Sequence, residues 1–160
     1  MKRKGYGQVE PNHLSAQYTA QIYAQLPAMN IVNGGKNTPI QQLENGQFLK
    51  YSYKNGCATV GSDANVDGEW LLVYNEEKLY DERRQHHKDF AMLATDMTDG
   101  KIYPRLLKTN IGDIYTTNTF KAASGNAATV TGPDQEIEMA DLSLGDYLKV
   151  GDDGWLTKVN

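Results

Sequence analysis

The stretch Phe48-Leu49-Lys50-Tyr51-Ser52-Tyr53-Lys54-Asn55-Gly56-Cys57-Ala58-Thr59-Val60 decides the fold class. Its first six residues, rich in aromatic side chains, read as one strand. Asn-Gly is the strongest short hairpin signal, because both central residues of a type I′ turn take positive φ. Cys57-Ala58-Thr59-Val60 then reads as the return strand. Upstream, residues 43–53 surround a second such pair, Asn45-Gly46, which reads as another hairpin signal. Downstream, Trp70-Leu71-Leu72-Val73-Tyr74 is a short continuous apolar run behind Asp67-Gly68, the pattern of a buried strand. Further strands are expected within 101–107, 114–120, 127–130, 137–139, 147–150 and 155–159, with Asp152-Asp153-Gly154 as a hairpin turn. Residues 76–93 are the one helical candidate. Short strands at this spacing predict a mainly β protein, a small β-barrel or sandwich, and not alternating β-α units.

The N-terminal quarter differs in character. From Pro11 to Gly35 there is no charged side chain, and Leu14, Ala16, Tyr18, Ala20, Ile22, Ala24 and Leu26 alternate with Ser15, Gln17, Thr19, Gln21, Tyr23 and Gln25. A period of two puts these sets on opposite sides of an extended chain. A helix capped by Asn12 and stopped by Pro27 is the competing reading. On a helix, however, Leu14 falls inside the stripe of Gln17, Gln21 and Gln25, which splits the apolar surface. The alternation therefore predicts an extended N-terminal arm over residues 1–40 and a β-rich domain over 41–160. Leu14, Tyr18, Ile22 and Leu26 are the natural anchors of such an arm on a partner's sheet edge. Its uncharged polar side would avoid stripping water from ions along a long interface.

The chain has 160 residues, enough to bury a core. Its hydrophobic fraction of 39% is modest, which suits a protein with many turns and much surface. The net charge of −4 and the absence of a dense basic patch argue against nucleic acid as the main partner. Lys2, Arg3 and Lys4 form the one basic cluster, read as a flexible tip or a contact for an acidic partner. No apolar run reaches the length of a membrane span, and the start lacks the apolar core of a signal peptide. One cysteine excludes an internal disulfide and a four-cysteine zinc site, so synthesis in a reducing compartment is expected.

Two short segments share a pattern. Asn110-Ile111-Gly112-Asp113-Ile114-Tyr115 and Ser143-Leu144-Gly145-Asp146-Tyr147-Leu148 both run apolar-Gly-Asp-apolar into an expected strand. Gly supplies a backbone conformation other residues resist, and Asp can bond backbone amides within a turn. Coincidence is the alternative, since no longer repeat is visible.

Candidate chemistry is sparse. Adjacent His86 and His87 point apart on a strand or a helix, so they do not share a metal readily, although Glu82 and His86 have i,i+4 spacing. That run, Asp81 to Asp89, reads more simply as a solvated charged face. Cys57 has no local histidine and reads as a small buried residue. Asp63, Asp67 and Glu69 suggest a calcium loop but lack the closing acidic residue of the twelve-residue pattern. Phosphate loops and nucleophile elbows are absent. Neither catalysis nor a cofactor is expected.

The runs from Gly5 to Gln17, Gln21-Ile22-Tyr23-Ala24-Gln25-Leu26-Pro27, Leu43-Glu44-Asn45-Gly46-Gln47-Phe48, Glu69 to Glu76 and Lys78 to Arg83 resemble small structural proteins of tailed bacteriophages. The pattern is similar to auxiliary head proteins, also called decoration or cement proteins, and it covers mainly residues 5–93. The resemblance implies a non-enzymatic virion protein made in the bacterial cytoplasm. Its implied partners are the major capsid protein and further copies of itself, with no nucleic acid and no membrane. A neck, tail or baseplate component or a surface adhesin is the second class. A small hydrolase or ligand-binding barrel, resting on Cys57, His86 and His87, is the third.

Overall fold

Leu71, Leu72 and Val73 are each at most 1% exposed although consecutive residues of a strand face opposite ways. Both faces of the sheet that holds them are therefore covered. The computed structural model describes residues 9–13, 24–31, 36–60, 68–75, 91–121, 143–151 and 153–159. Among these residues the chain forms β1 (Val9–His13), β2 (Ala24–Gln25), β3 (Met29–Asn30), β4 (Thr38–Pro39), β5 (Gln42–Glu44), β6 (Phe48–Ser52) and β7 (Cys57–Thr59). It continues with β8 (Trp70–Val73), β9 (Ala91–Leu93), a 3₁₀ turn at Ala94–Asp96, β10 (Arg105–Lys108), β11 (Ile114–Thr117), β12 (Phe120–Lys121), β13 (Leu148–Val150) and β14 (Leu156–Lys158). The protein is mainly β, as the turn spacing predicts.

The centre is a five-stranded antiparallel sheet in the order β2-β10-β8-β6-β7. Register sorts its side chains into two cores. Leu49 pairs with Leu71 and Leu106 with Val73, and all four join Ala28, Ile40, Leu43, Ala58, Ala94 and Ile102 on one face. Phe48 and Leu107 both pair with Leu72 on the other, where Val9, Tyr74 and Tyr115 close over them. The first face is covered by the β3–β4 and β5–β9 pairs, the second by a ribbon of β1 against β11. An alternating strand would have exposed Leu72; the continuous run is what two covers require.

Asn55-Gly56 closes the β6–β7 hairpin as expected, with Ser52 opposite Cys57. Asn45-Gly46 behaves differently. The chain turns there, with Gln47 N–H donating to the Glu44 carbonyl at 3.3 Å, but β5 pairs with β9 and β6 with β8. The turn is a corner between sheets and not a hairpin. Its anchor is a reciprocal amide pair. Asn45 Nδ2 donates to the Asn75 carbonyl at 3.0 Å, and Asn75 N–H donates to Asn45 Oδ1 at 2.8 Å. Asn75 Oδ1 in turn accepts Arg105 N–H at 2.8 Å, tying the corner to β8 and β10.

Three sequence expectations are corrected or bounded. Ala91–Leu93 is a strand paired with Gln42–Glu44, so the end of the helical candidate is extended; residues 76–90 lie outside the described residues. The strand candidates 127–130 and 137–139 also lie outside them. The body, moreover, is not confined to 41–160. Ala24–Gln25 pairs with β10, Ala28 is wholly buried, and its N–H donates to the Ile102 carbonyl at 2.8 Å. Ala58 N–H donates to the Pro27 carbonyl at 3.0 Å, and Val9 is 8% exposed. A period of two marks an extended segment whichever sheet it joins, and here the described part of residues 1–40 joins the chain's own.

The last two strands close a separate three-stranded sheet in the order β12-β14-β13, in which β12 runs parallel to β14. The turn between β13 and β14 contains Asp153-Gly154, as the sequence predicts. Gly154 has φ 82°, and its carbonyl accepts Phe48 N–H at 2.8 Å; a Cβ there would strike the Phe48 carbonyl oxygen. Gln47 Nε2 also donates to the Asp153 carbonyl at 3.1 Å, so the hairpin is fixed to the central sheet at one place.

Candidate functional site

Of the four expected anchors, Leu14, Tyr18 and Ile22 lie outside the described residues. Leu26 is half-buried directly after β2 and before Pro27, whose carbonyl is held by Ala58. Leu26 thus lies between two backbone segments bonded to the chain's own strands.

Of the candidate chemistry, Cys57 and Glu69 fall among the described residues. Cys57 is 1% exposed at the start of β7, where burial pushes its thiol above the ordinary range. A neutral, enclosed thiol is a poor nucleophile. A thiol reagent at pH 8 should therefore leave Cys57 unmodified in the native protein and label it fully in denaturant. Stoichiometric labelling of the native protein within seconds would contradict the burial. Glu69 forms an exposed ion pair with Lys108, 3.0 Å between Oε2 and Nζ. His86, His87, Glu82, Asp63 and Asp67 lie outside the described residues. Among those residues no three of His, Cys, Asp and Glu are grouped to hold a metal ion, and no helix is long and apolar enough to cross a membrane.

The surface is more informative. The two apolar-Gly-Asp segments form the same turn. Asn110 N–H donates to Asp113 Oδ2 at 2.8 Å, and Asp113 N–H returns to the Asn110 carbonyl at 3.2 Å. Ser143 N–H donates to Asp146 Oδ2 at 2.7 Å, and Asp146 N–H returns to the Ser143 carbonyl at 3.1 Å. Gly112 has φ 96° and Gly145 φ 95°, a conformation that glycine alone adopts without strain. Each Asp is also engaged from outside its turn: Tyr115 Oη donates to Asp113 Oδ2 at 3.0 Å, and Lys158 Nζ lies 2.9 Å from Asp146 Oδ2. The Lys158 ammonium, then the Ser143 N–H, hold the Asp146 carboxyl below the usual range. Burial, then the Asp113 carboxylate, drives the Tyr115 phenol well upward.

At the tips of these turns stand Ile111 and Leu144, 102% and 107% exposed. Ile114, Tyr147 and Leu148 add further exposed apolar surface on the residues that follow. Beside Leu148 the outer edge of β13 carries no strand among the described residues. The shared pattern was visible in sequence as a strand-entry device. The exposure of its aliphatic residue was not, because an apolar letter before Gly-Asp reads equally well as the first core residue of the strand.

No family model matches this chain, and the searches of curated proteins and of solved structures found no match.

Proposed function

We propose that the protein is a non-enzymatic structural component of a tailed-bacteriophage virion, an auxiliary head protein that binds and stiffens the lattice of the major capsid protein. The observation that carries this reading is the uncharged period-two alternation, whose residues 14–23 suit strand addition to a partner's sheet edge. The resemblance of residues 5–93 to phage head proteins supports the same class. Residues 14–23 connect β1 to β2, and ten extended residues reach on the order of 33 Å. A loop or arm of that span can contact a neighbouring subunit while both its ends stay on the body. Layers packed on both faces of the central sheet favour a sandwich over a closed barrel.

Repetition supplies strength in such a role, since weak single contacts recur at every lattice position. A protein that binds only the assembled shell stabilises that state by linkage. An antibody to this chain should label the heads of purified virions in many copies. Heads lacking the chain should lose infectivity at lower temperature than complete ones. Label confined to the tail, or absent from virions, would overturn the assignment.

A further inference from the structure

We infer that Ile111 and Leu144 are paired docking knobs that enter equivalent apolar pockets on like subunits of the partner lattice. The inference rests on the virion reading for the identity of that partner. It begins from a duplication: two segments more than thirty residues apart build one turn, with matching hydrogen bonds at both ends and glycine φ values of 96° and 95°.

The turn itself has no need of an aliphatic residue at its second position, where proline or a polar residue serves well. Yet both copies place one there, and in both it is fully exposed. A single exposed apolar residue is ordinary on a soluble protein. An aliphatic residue of the same size at the same position of a duplicated device is an apolar tip presented twice.

The chemistry around each tip narrows the occupant. Asn110 and Gly112 flank Ile111, and Ser143 and Gly145 flank Leu144, so no ion adjoins either knob in sequence. The one acidic residue of each turn accepts its own turn's N–H and a second donor, Tyr115 or Lys158, and is thereby kept to the turn. A knob of this kind enters a dry, uncharged protein pocket without desolvating an ion. Two aliphatic tips of equal size on one backbone frame match two copies of one pocket, which a homomeric lattice supplies.

The test uses the full chain and purified heads that lack it. Ile111→Ser and Leu144→Ser should each weaken binding to heads about tenfold or more, and together about a hundredfold, as loss of a buried aliphatic at independent sites predicts. Both variants should keep the wild-type urea midpoint, because both side chains are fully exposed in the free protein. The exchange variant Ile111→Leu/Leu144→Ile should retain binding within a few-fold. Wild-type affinity in the double serine variant would overturn the knobs and leave the virion reading standing. Failure of the wild-type chain itself to bind heads would overturn that reading, and the inference with it. A large loss in the exchange variant would overturn the equivalence of the pockets. Binding of the wild-type chain to phosphatidylethanolamine–phosphatidylglycerol vesicles that is abolished by the serine changes would replace the protein partner with a membrane.

Discussion

A chain lacking residues 1–40 is expected to lose cooperative folding. Deletion removes Val9 from one core and Ala28 and Ile40 from the other, all at most 8% exposed. It also leaves the Ile102 carbonyl and the Ala58 N–H without their partners, in residues that are themselves wholly buried. Each orphaned polar group costs about 1–3 kcal/mol, and each lost larger aliphatic about 1.5–3 kcal/mol. Together these terms are comparable with the ~5–15 kcal/mol that holds a domain folded. Far-UV circular dichroism across a urea titration should show a broad, shallow transition in place of a steep one. A truncated chain with the intact chain's midpoint and slope would mean that the N-terminal quarter is an appendage after all.

Leu72→Asp should be among the most damaging single changes. The side chain sits between Phe48 and Leu107 and beneath Val9 and Tyr115, in the smaller of the two cores. A carboxylate there loses the apolar contacts and is cut off from water, so it must be buried neutral or force the ribbon away. The chain should accumulate as insoluble protein. Leu72→Ala gives the measurable version: a loss of ~2–5 kcal/mol, against less than ~0.5 kcal/mol for Ile114→Ala on the exposed side of the ribbon. Equal effects would show that the ribbon does not cover the sheet.

The burial behind both expectations is only partly written in the sequence. The β6–β7 hairpin was legible because Asn55-Gly56 fixes a turn locally, and β8 because three successive apolar residues need two covers. The covers themselves were not legible. Val9 and Ala28 sit in segments that resemble a free arm, since alternation reports an extended chain and not the owner of the neighbouring strand. Asn45-Gly46 misled for a related reason: the dipeptide specifies a reversal, whereas whether the flanking strands pair depends on distant β8 and β9. Of the surface, the repeated turn was visible as letters. Its outward-facing aliphatic tips became visible only as exposure.

The buried run of β8 carries a further consequence. In a half-exposed strand, a slip by one residue puts apolar groups in water, so the hydrophobic pattern polices the alignment. Leu71-Leu72-Val73 can slide by one place and still offer an apolar side chain to each core. Oil alone is indifferent to where this strand stops. The alignment is left to groups that recognise one another individually, and the Asn45–Asn75 amide pair, with Arg105 N–H on its far oxygen, stands at the end of the strand where such a slip would begin. Two asparagines thereby act as the molecule's vernier: they add little attraction, but they select one alignment from several that the cores would accept.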